Sequence, residues 1–275
     1  MDWLKTVLYG FIAGLTEFLP VSARAHRSLS SLMLGIDTQL PLLQLLIRIA
    51  CMAALLVCCS REIGKLRREN RLAKSPARRR TRPVDTKSVT TLRLLKTAAV
   101  PLLIGMLLYG RAGELGNTLH LLALFLALNG VMLFVPHLVK TGNKDSRSMS
   151  PFDGLLIGLS GVLGVIPGFS GIGAMLATAS VRGVDKSYAL SFALLLSIPM
   201  MAVMFVFDAI GMAAGLEAIS AMVLLKYLLT VAAAYLGSFM AIVGMRSLMA
   251  KTGIYGYAYY CWGAALFTLI IYLST

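Results

Sequence analysis

Carboxylates are scarce in this chain. Its 12 Asp and Glu stand against 26 Lys and Arg, a formal net charge of +14. A surplus of that size raises the question of nucleic acid, and a second scarcity answers it. Between Ser60 and Lys96 thirteen Lys and Arg meet three acids (Glu62, Glu69 and Asp85), with no aromatic residue interleaved to stack on bases. That stretch, which includes Arg78-Arg79-Arg80, joins two apolar runs. A basic loop in such a place is the ordinary mark of the cytoplasmic side, with anionic lipid headgroups as its neighbours. No nucleic-acid partner is expected.

Cysteine is equally sparse. Cys51, Cys58, Cys59 and Cys261 lie in or beside apolar runs without metal-ligand spacing, and read as small core hydrophobes. Charged residues make up only 14% of the chain and no stretch reads as a separate soluble domain. What is present instead is apolar: 58% hydrophobic residues and a mean hydropathy of +0.80. One soluble core does not need so much. Several runs approach the roughly 20 residues that a hydrocarbon slab demands, so we expect an all-α polytopic membrane protein, a single domain over residues 1–275. The apolar start is not a signal peptide, because Glu17 and Pro20 follow it without a small-residue cleavage site.

Six spans are expected, at about 39–59, 97–109, 119–139, 188–207, 218–245 and 254–273. Lys140, Lys144 and Arg147 mark a second inner loop, and Asp208 and Glu217 an outer turn without Lys or Arg. Two further apolar stretches are too short and too broken to cross. The first, about 3–36, carries GFIAGLTEFLPVSARAH with Pro20 at its break. The second, about 152–182, is rich in glycine and broken by Pro167. Irregular backbone at membrane depth is tolerated only where protein or a wet cavity surrounds it. The pair therefore reads as two re-entrant helical hairpins in corresponding halves (1–139 and 151–275), the sequence sign of an inverted repeat with a site at the junction.

Glu17 is an ionisable group at membrane depth, and so a candidate functional residue. It can orient a water, hold His26, ligate Mg²⁺ or Ca²⁺ as a hard oxygen donor, or pair with Arg24, Arg27 or Arg48. His26 titrates near neutrality when unperturbed and can serve as acid, base or nucleophile; alternatively it only faces headgroup water. Ser22 and Ser170 sit at the two breaks and offer hydroxyls. Gly168 and Gly171 let backbone approach a ligand closely. Arg48, in mid-span, must face a polar interior, and Gln44 lies one turn away on the same face.

Three motifs resemble the undecaprenyl pyrophosphate phosphatase family, the bacitracin-resistance type. TEFLPVS at Thr16–Ser22 with His26 close behind is similar to its first signature. IPGFS at Ile166–Ser170 is similar to its PGFSRS loop. Ser191-Phe192 with Ser197-Ile198-Pro199-Met200-Met201 is similar to its SF…VPMM helix. The resemblance implies hydrolysis of undecaprenyl pyrophosphate in a bacterial inner membrane, for carrier-lipid recycling in wall synthesis. It implies Glu17, Ser22 and His26 as catalytic residues and Ser170 and Gly168 around the lipid pyrophosphate, where Arg48, Gln44, Arg24 and Gly171 are this sequence's own binding candidates. A divalent cation on Glu17 and a homodimer are compatible with it.

The departures are specific. The family's earlier glutamate is Ala13, its second serine is Ala23, its loop arginine is Gly171, and its Glu and Gln on the next span are Gln44 and Arg48. Arg48 is therefore expected to replace the missing cation in a cavity shared by Glu17, Ser22, His26, Arg48 and Ser170. A non-hydrolytic member that binds or translocates a polyprenyl phosphate is the alternative, and a transporter for an unrelated solute a third.

Overall fold

The computed structural model describes residues 3–36, 41–75, 85–112, 118–213, 221–251 and 253–274. Among them everything regular is helical: α1 Trp3–Phe18, α2 Ala23–Leu34, α3 Pro41–Cys58, α4 Ser60–Lys74, α5 Thr86–Met106, α6 Tyr109–Ala112, α7 Leu119–Phe134, α8 Pro151–Gly161, α9 Gly171–Val181, α10 Lys186–Ala213, α11 Ala221–Lys251 and α12 Gly256–Ser274. Single 3₁₀ turns prolong α7 to Leu138 and α8 to Val165. Six helices are long and apolar enough to cross a membrane: Pro41–Cys58, Thr86–Met106, Leu119–Leu138, Lys186–Met212, Met222–Met249 and Gly256–Ser274. Leucines such as Leu224, Leu225, Leu228 and Leu229 on α11 stand exposed, which is stable only against lipid. The chain is a multi-pass membrane protein.

Two helix pairs are too short to span. α1 turns into α2 at Leu19–Ser22, and α8 with its 3₁₀ turn passes into α9 at Ile166–Ser170. Each second arm starts on a serine cap. Ser22 Oγ accepts from Ala25 N–H, and Ser170 Oγ accepts from Gly173 N–H, satisfying donors that a helix start leaves open. A capping box of Ser150 and Asp153, with Pro151 in the first turn, opens α8.

Packing ties each broken pair to the opposite half. α1 lies chiefly along α11, and α8 lies along α5, while α3 crosses α10 and α7 crosses α12. Exchanging the halves leaves that pattern unchanged, as an inverted repeat requires. Glycine permits both close crossings. A Cβ at Gly14 would overlap the Ala234 carbonyl, and one at Gly158 the Ala98 carbonyl.

The expected basic loop at 60–96 is largely helix. α4 covers Ser60–Lys74, and α5 starts at Thr86, eleven residues before the span placed at Thr97. Asp85 caps α5 by accepting from Lys87 N–H, and Pro101 lies inside the helix. α4 exposes Lys65, Arg67, Arg68 and Arg71 while its acids turn inward. Arg246 donates to Glu62 at 2.8 Å, and Asp85 N–H donates to Glu69 at 3.1 Å. Lys65 holds the Asp85 carboxyl down to about 2, and Lys87 does the same for Asp145. Both contacts therefore stay charged at every physiological pH. α10 runs on past Phe207 to Ala213, so Asp208 is helical and not in an outer turn. Arg78-Arg79-Arg80, Glu114 and Glu217 lie outside the described residues.

The crossings give a direct test. Gly14→Ala and Gly158→Ala should each destabilise the protein by about 1–3 kcal/mol, the usual cost of overpacking. Gly244→Ala, whose Cβ would meet open space, should be neutral or slightly stabilising. Thermal melting in detergent measures all three; equal melting temperatures would remove the close-crossing account.

Candidate functional site

The two breaks meet in the middle of the bundle and are stitched by side chains. Ser22, with its left-handed φ of 69°, is fully buried, and its Oγ accepts from Gly168 N–H at 3.0 Å. Asn129 of α7 bridges both breaks: its Nδ2 donates to Pro20 O at 3.1 Å and its Oδ1 accepts from Ser170 N–H at 2.9 Å. Gly168 has φ 99°, and a Cβ there would run into Phe125. Ser22 is thus the tie between breaks, with its lone pairs committed to backbone donors, and not a free nucleophile.

Beside this seam lies an arginine cluster. Glu17, in the last turn of α1, accepts from Arg27 Nη2 and from Arg48 Nη1, each at 3.3 Å. Arg48 is 2% exposed and each of its three nitrogens is engaged. Its Nε donates to Asp208 Oδ2 at 2.6 Å, its Nη2 to Tyr109 Oη at 2.8 Å, and its Nη1 also meets Met204 Sδ. Gln44 accepts from Arg27 at 3.5 Å and donates to Tyr9 Oη at 2.6 Å. Arg24 reaches across to the second break, donating to Val165 O at 3.0 Å and Tyr109 O at 3.4 Å with its guanidinium 3.8 Å above the Tyr109 ring.

Glu17, Arg24, Arg27, Ser170 and Gly171 line a cavity of about 30 Å³, walled by Met200 and Met204. That is the share of one water molecule in the liquid. Three guanidiniums (Arg24, Arg27, Arg48) surround two carboxylates (Glu17, Asp208), and Arg24 makes no ion pair among the described residues. One positive charge is left for an anion. At the far wall Ser170 caps α9 and presents its hydroxyl, donating to Leu19 O at 3.4 Å. Gly171 and Ile172, in the first turn of α9, have no hydrogen-bond partner for their N–H groups among the described residues. Donors of this kind favour an anion.

Two expectations need correction. Arg48 does not line the cavity; it stands behind Glu17, bound to Glu17, Asp208 and Tyr109, so Arg24 and Arg27 are the cations that a ligand meets. Arg24, expected around the lipid pyrophosphate, lines the cavity and is laid across the junction. His26 does not join the cluster. Its Nδ1 lies 2.9 Å from Ser22 O and its Nε2 2.7 Å from Tyr260 Oη, with the two rings stacked. A carbonyl only accepts, so Nδ1 carries the proton, and neutral Nε2 accepts from the tyrosine.

The donor set also disagrees with a resident Mg²⁺ or Ca²⁺ on Glu17. Both Glu17 oxygens are held by guanidiniums, Ala13 supplies no second carboxylate, and no group of three His, Cys, Asp or Glu comes together among the described residues. A hard dication wants several oxygens, not an arginine shell.

Residues 6–267 match the family model described as bacitracin resistance protein BacA. The chain belongs to this family. It is 28% identical to an undecaprenyl-diphosphatase of Methanobrevibacter smithii over 269 residues, covering 95% of each chain. It is 26% identical to an undecaprenyl-diphosphatase of Alkaliphilus metalliredigens, over 95% of this chain and 96% of that one. A third relative, undecaprenyl-diphosphatase 1 of Shouchella clausii, is 25% identical over 98% of this chain and 96% of its own. This chain has Glu17 beside two serine-capped breaks, and carries its cavity cations on α2.

Sequence reasoning missed Arg27, Asp208, Tyr109 and Asn129 as site residues. Arg27 had a signal, since it lies three residues from Arg24 on one helix face. Asn129 had another, as an amide inside an apolar run.

Removing Asp208 tests the cluster. Asp208→Asn should destabilise the protein by about 3 kcal/mol, because it strands a buried arginine. Arg48→Met/Asp208→Leu should cost less than either single change. A double variant worse than both singles would mean that the pair is not the structural unit.

Proposed function

We propose that this chain hydrolyses a polyprenyl diphosphate to the monophosphate and inorganic phosphate in the bacterial cytoplasmic membrane, with the junction of the two breaks as its active site. The observation that carries the proposal is Arg24. It is a cation without a carboxylate partner among the described residues, set beside a paired carboxylate and the open start of α9. A diphosphate in a low-dielectric site needs such compensation, and phosphoryl transfer depends mostly on positioning and charge stabilisation.

The cavity is too small for a diphosphate as it stands, so binding must move side chains. Arg27 and the two methionines are the flexible walls. When the terminal phosphate enters, Arg27 exchanges Glu17 for a phosphate oxygen, and Arg24 takes a second. Glu17 then keeps Arg48 as its one partner, and its freed oxygen faces the ligand. With Ala23 where the family resemblance places a serine, the nucleophile is water. Its oxygen forms a bond to the terminal phosphorus while its proton passes to Glu17. The bond from that phosphorus to the bridging oxygen breaks, and its electron pair leaves with the polyprenyl monophosphate. Arg24 and the N–H groups of Gly171 and Ile172 stabilise the charge that develops on the phosphoryl oxygens and the leaving group. The site residues supply this without a bound metal.

Phosphate release from farnesyl diphosphate by the purified protein decides the matter. Turnover is expected in excess chelator as well as in Mg²⁺. Glu17→Gln should lower kcat by about 10²–10⁴-fold, as loss of a general base does. Arg24→Gln should weaken binding by about 1.5–3 kcal/mol, the range for a charge-assisted hydrogen bond. His26→Ala should leave kcat within a few fold, since His26 faces away. Binding without any release by the unmodified chain would overturn hydrolysis and leave a carrier-lipid binder.

A further inference from the structure

The face of α2 opposite the arginines borders a second, larger system of hollows. One part, about 540 Å³, lies between α1, α2 and α12, where His26, Ser30, Met33, Tyr260 and Phe267 line it. The next, about 450 Å³, shares Leu15, Thr16 and Tyr260 with the first and runs on past Tyr257 to Gly256 and Gly253. Gly253 also lines a third hollow of about 160 Å³ at the basic end of the bundle. Shared lining residues set the three in file as a trench. Along α12 from Gly256 to Phe267 it measures about 17 Å at 1.5 Å per residue.

The trench changes character along its length. Its two large parts are walled by apolar and aromatic side chains, with no Asp or Glu among the described residues that line them. The hollow at the basic end is polar. Lys140 and Lys186 line it with Thr141, Ser180 and His137. Neither lysine has a carboxylate partner among the described residues, whereas neighbouring Lys144 and Arg182 are both spent on Asp153. His137 is fixed against Tyr255, with ring centroids 4.6 Å apart.

We infer that this trench is a second lipid site, which takes a single-chain lipid phosphate with its headgroup between Lys140 and Lys186 and its chain along α1 and α12. Charge complementarity selects the headgroup: two unpaired ammonium groups and two hydroxyls suit a phosphate monoester. Shape selects the chain. The large hollows follow one another in file and share Tyr260, which leans on His26; that arrangement suits a single extended chain. The ordered contact of His26 with Tyr260 thus becomes part of the wall of a lipid path. The site lies apart from the junction and stands whether or not the junction cleaves its ligand.

Photolabelling tests this inference. The probe is farnesyl phosphate bearing a diazirine at its chain end, added to the purified full-length chain in phosphatidylcholine nanodiscs. The readout is label on residues 253–267. The unmodified chain and Glu17→Gln should label alike. Lys140→Gln/Lys186→Gln should lose label by about tenfold, as the loss of one charge-assisted contact would cause. Gly256→Leu/Gly263→Leu should lose a similar share. At both glycines an added Cβ meets open space, so this variant blocks the trench without a clash and serves if the lysine pair fails to fold. Unchanged labelling in the folded variants overturns the site. Equal suppression by excess inorganic phosphate would reduce it to a free-anion site. Equal suppression by phosphatidylglycerol would reduce it to a bilayer-lipid contact. Either result contradicts the inference.

Discussion

Arg48 is the residue on which the middle of this bundle depends. An arginine at membrane depth costs at least about 2.5–3.5 kcal/mol on insertion scales, and it is kept only where protein groups meet its charge. Here Glu17 comes from α1, Asp208 from α10 and the Tyr109 hydroxyl from α6, so one guanidinium on α3 binds three other elements. The planar fork suits this task as a lysine would not. One consequence is functional. With Arg48 fixed behind it, Glu17 is held in place from one side while its other partner, Arg27, is a flexible wall of the cavity.

The second broken pair supplies no cation, and α2 makes good the deficit from across the seam. Arg24 reaches Val165 O at the end of the opposite arm, close to where Gly171 leaves space. Such an exchange is available because the two breaks are stitched within hydrogen-bond distance by Ser22 and Asn129. A charge contributed by either break then serves the same few cubic ångströms. The junction and the trench are held apart by α2 itself, with arginines on one face and His26 on the other.

Much of this architecture was legible in the sequence. Apolar run lengths revealed the six spans, and Pro20 and Pro167 marked the breaks. The need of Arg48 for buried partners followed from its depth alone. The identity of one partner did not, because Asp208 reads as the end of a span; a carboxylate can continue a membrane helix only when an arginine meets it, and that is a tertiary fact. The start of α5 was read too late for a related reason. Thr86 to Lys96 looks too polar for a span, yet its charges stand at the interface while Ser88, Thr91 and Leu94 face protein. The placing of His26 was recoverable from helix geometry. At about 100° per residue, it falls roughly 200° round from Arg24, so the two cannot share a cavity. Convergence at the junction was expected from the paired breaks, and a break carries no information about the faces of the helix that follows it.

The account rests on which arginine meets the phosphate. An experimental structure with a non-hydrolysable farnesyl diphosphate analogue bound tests it most directly. The terminal phosphate should lie against Arg24 and Arg27 at the start of α9, with Arg48 still on Asp208 and Tyr109. A phosphate on Arg48 with its bond to Asp208 broken, or a headgroup seated beside His26 and away from the junction, would contradict the account.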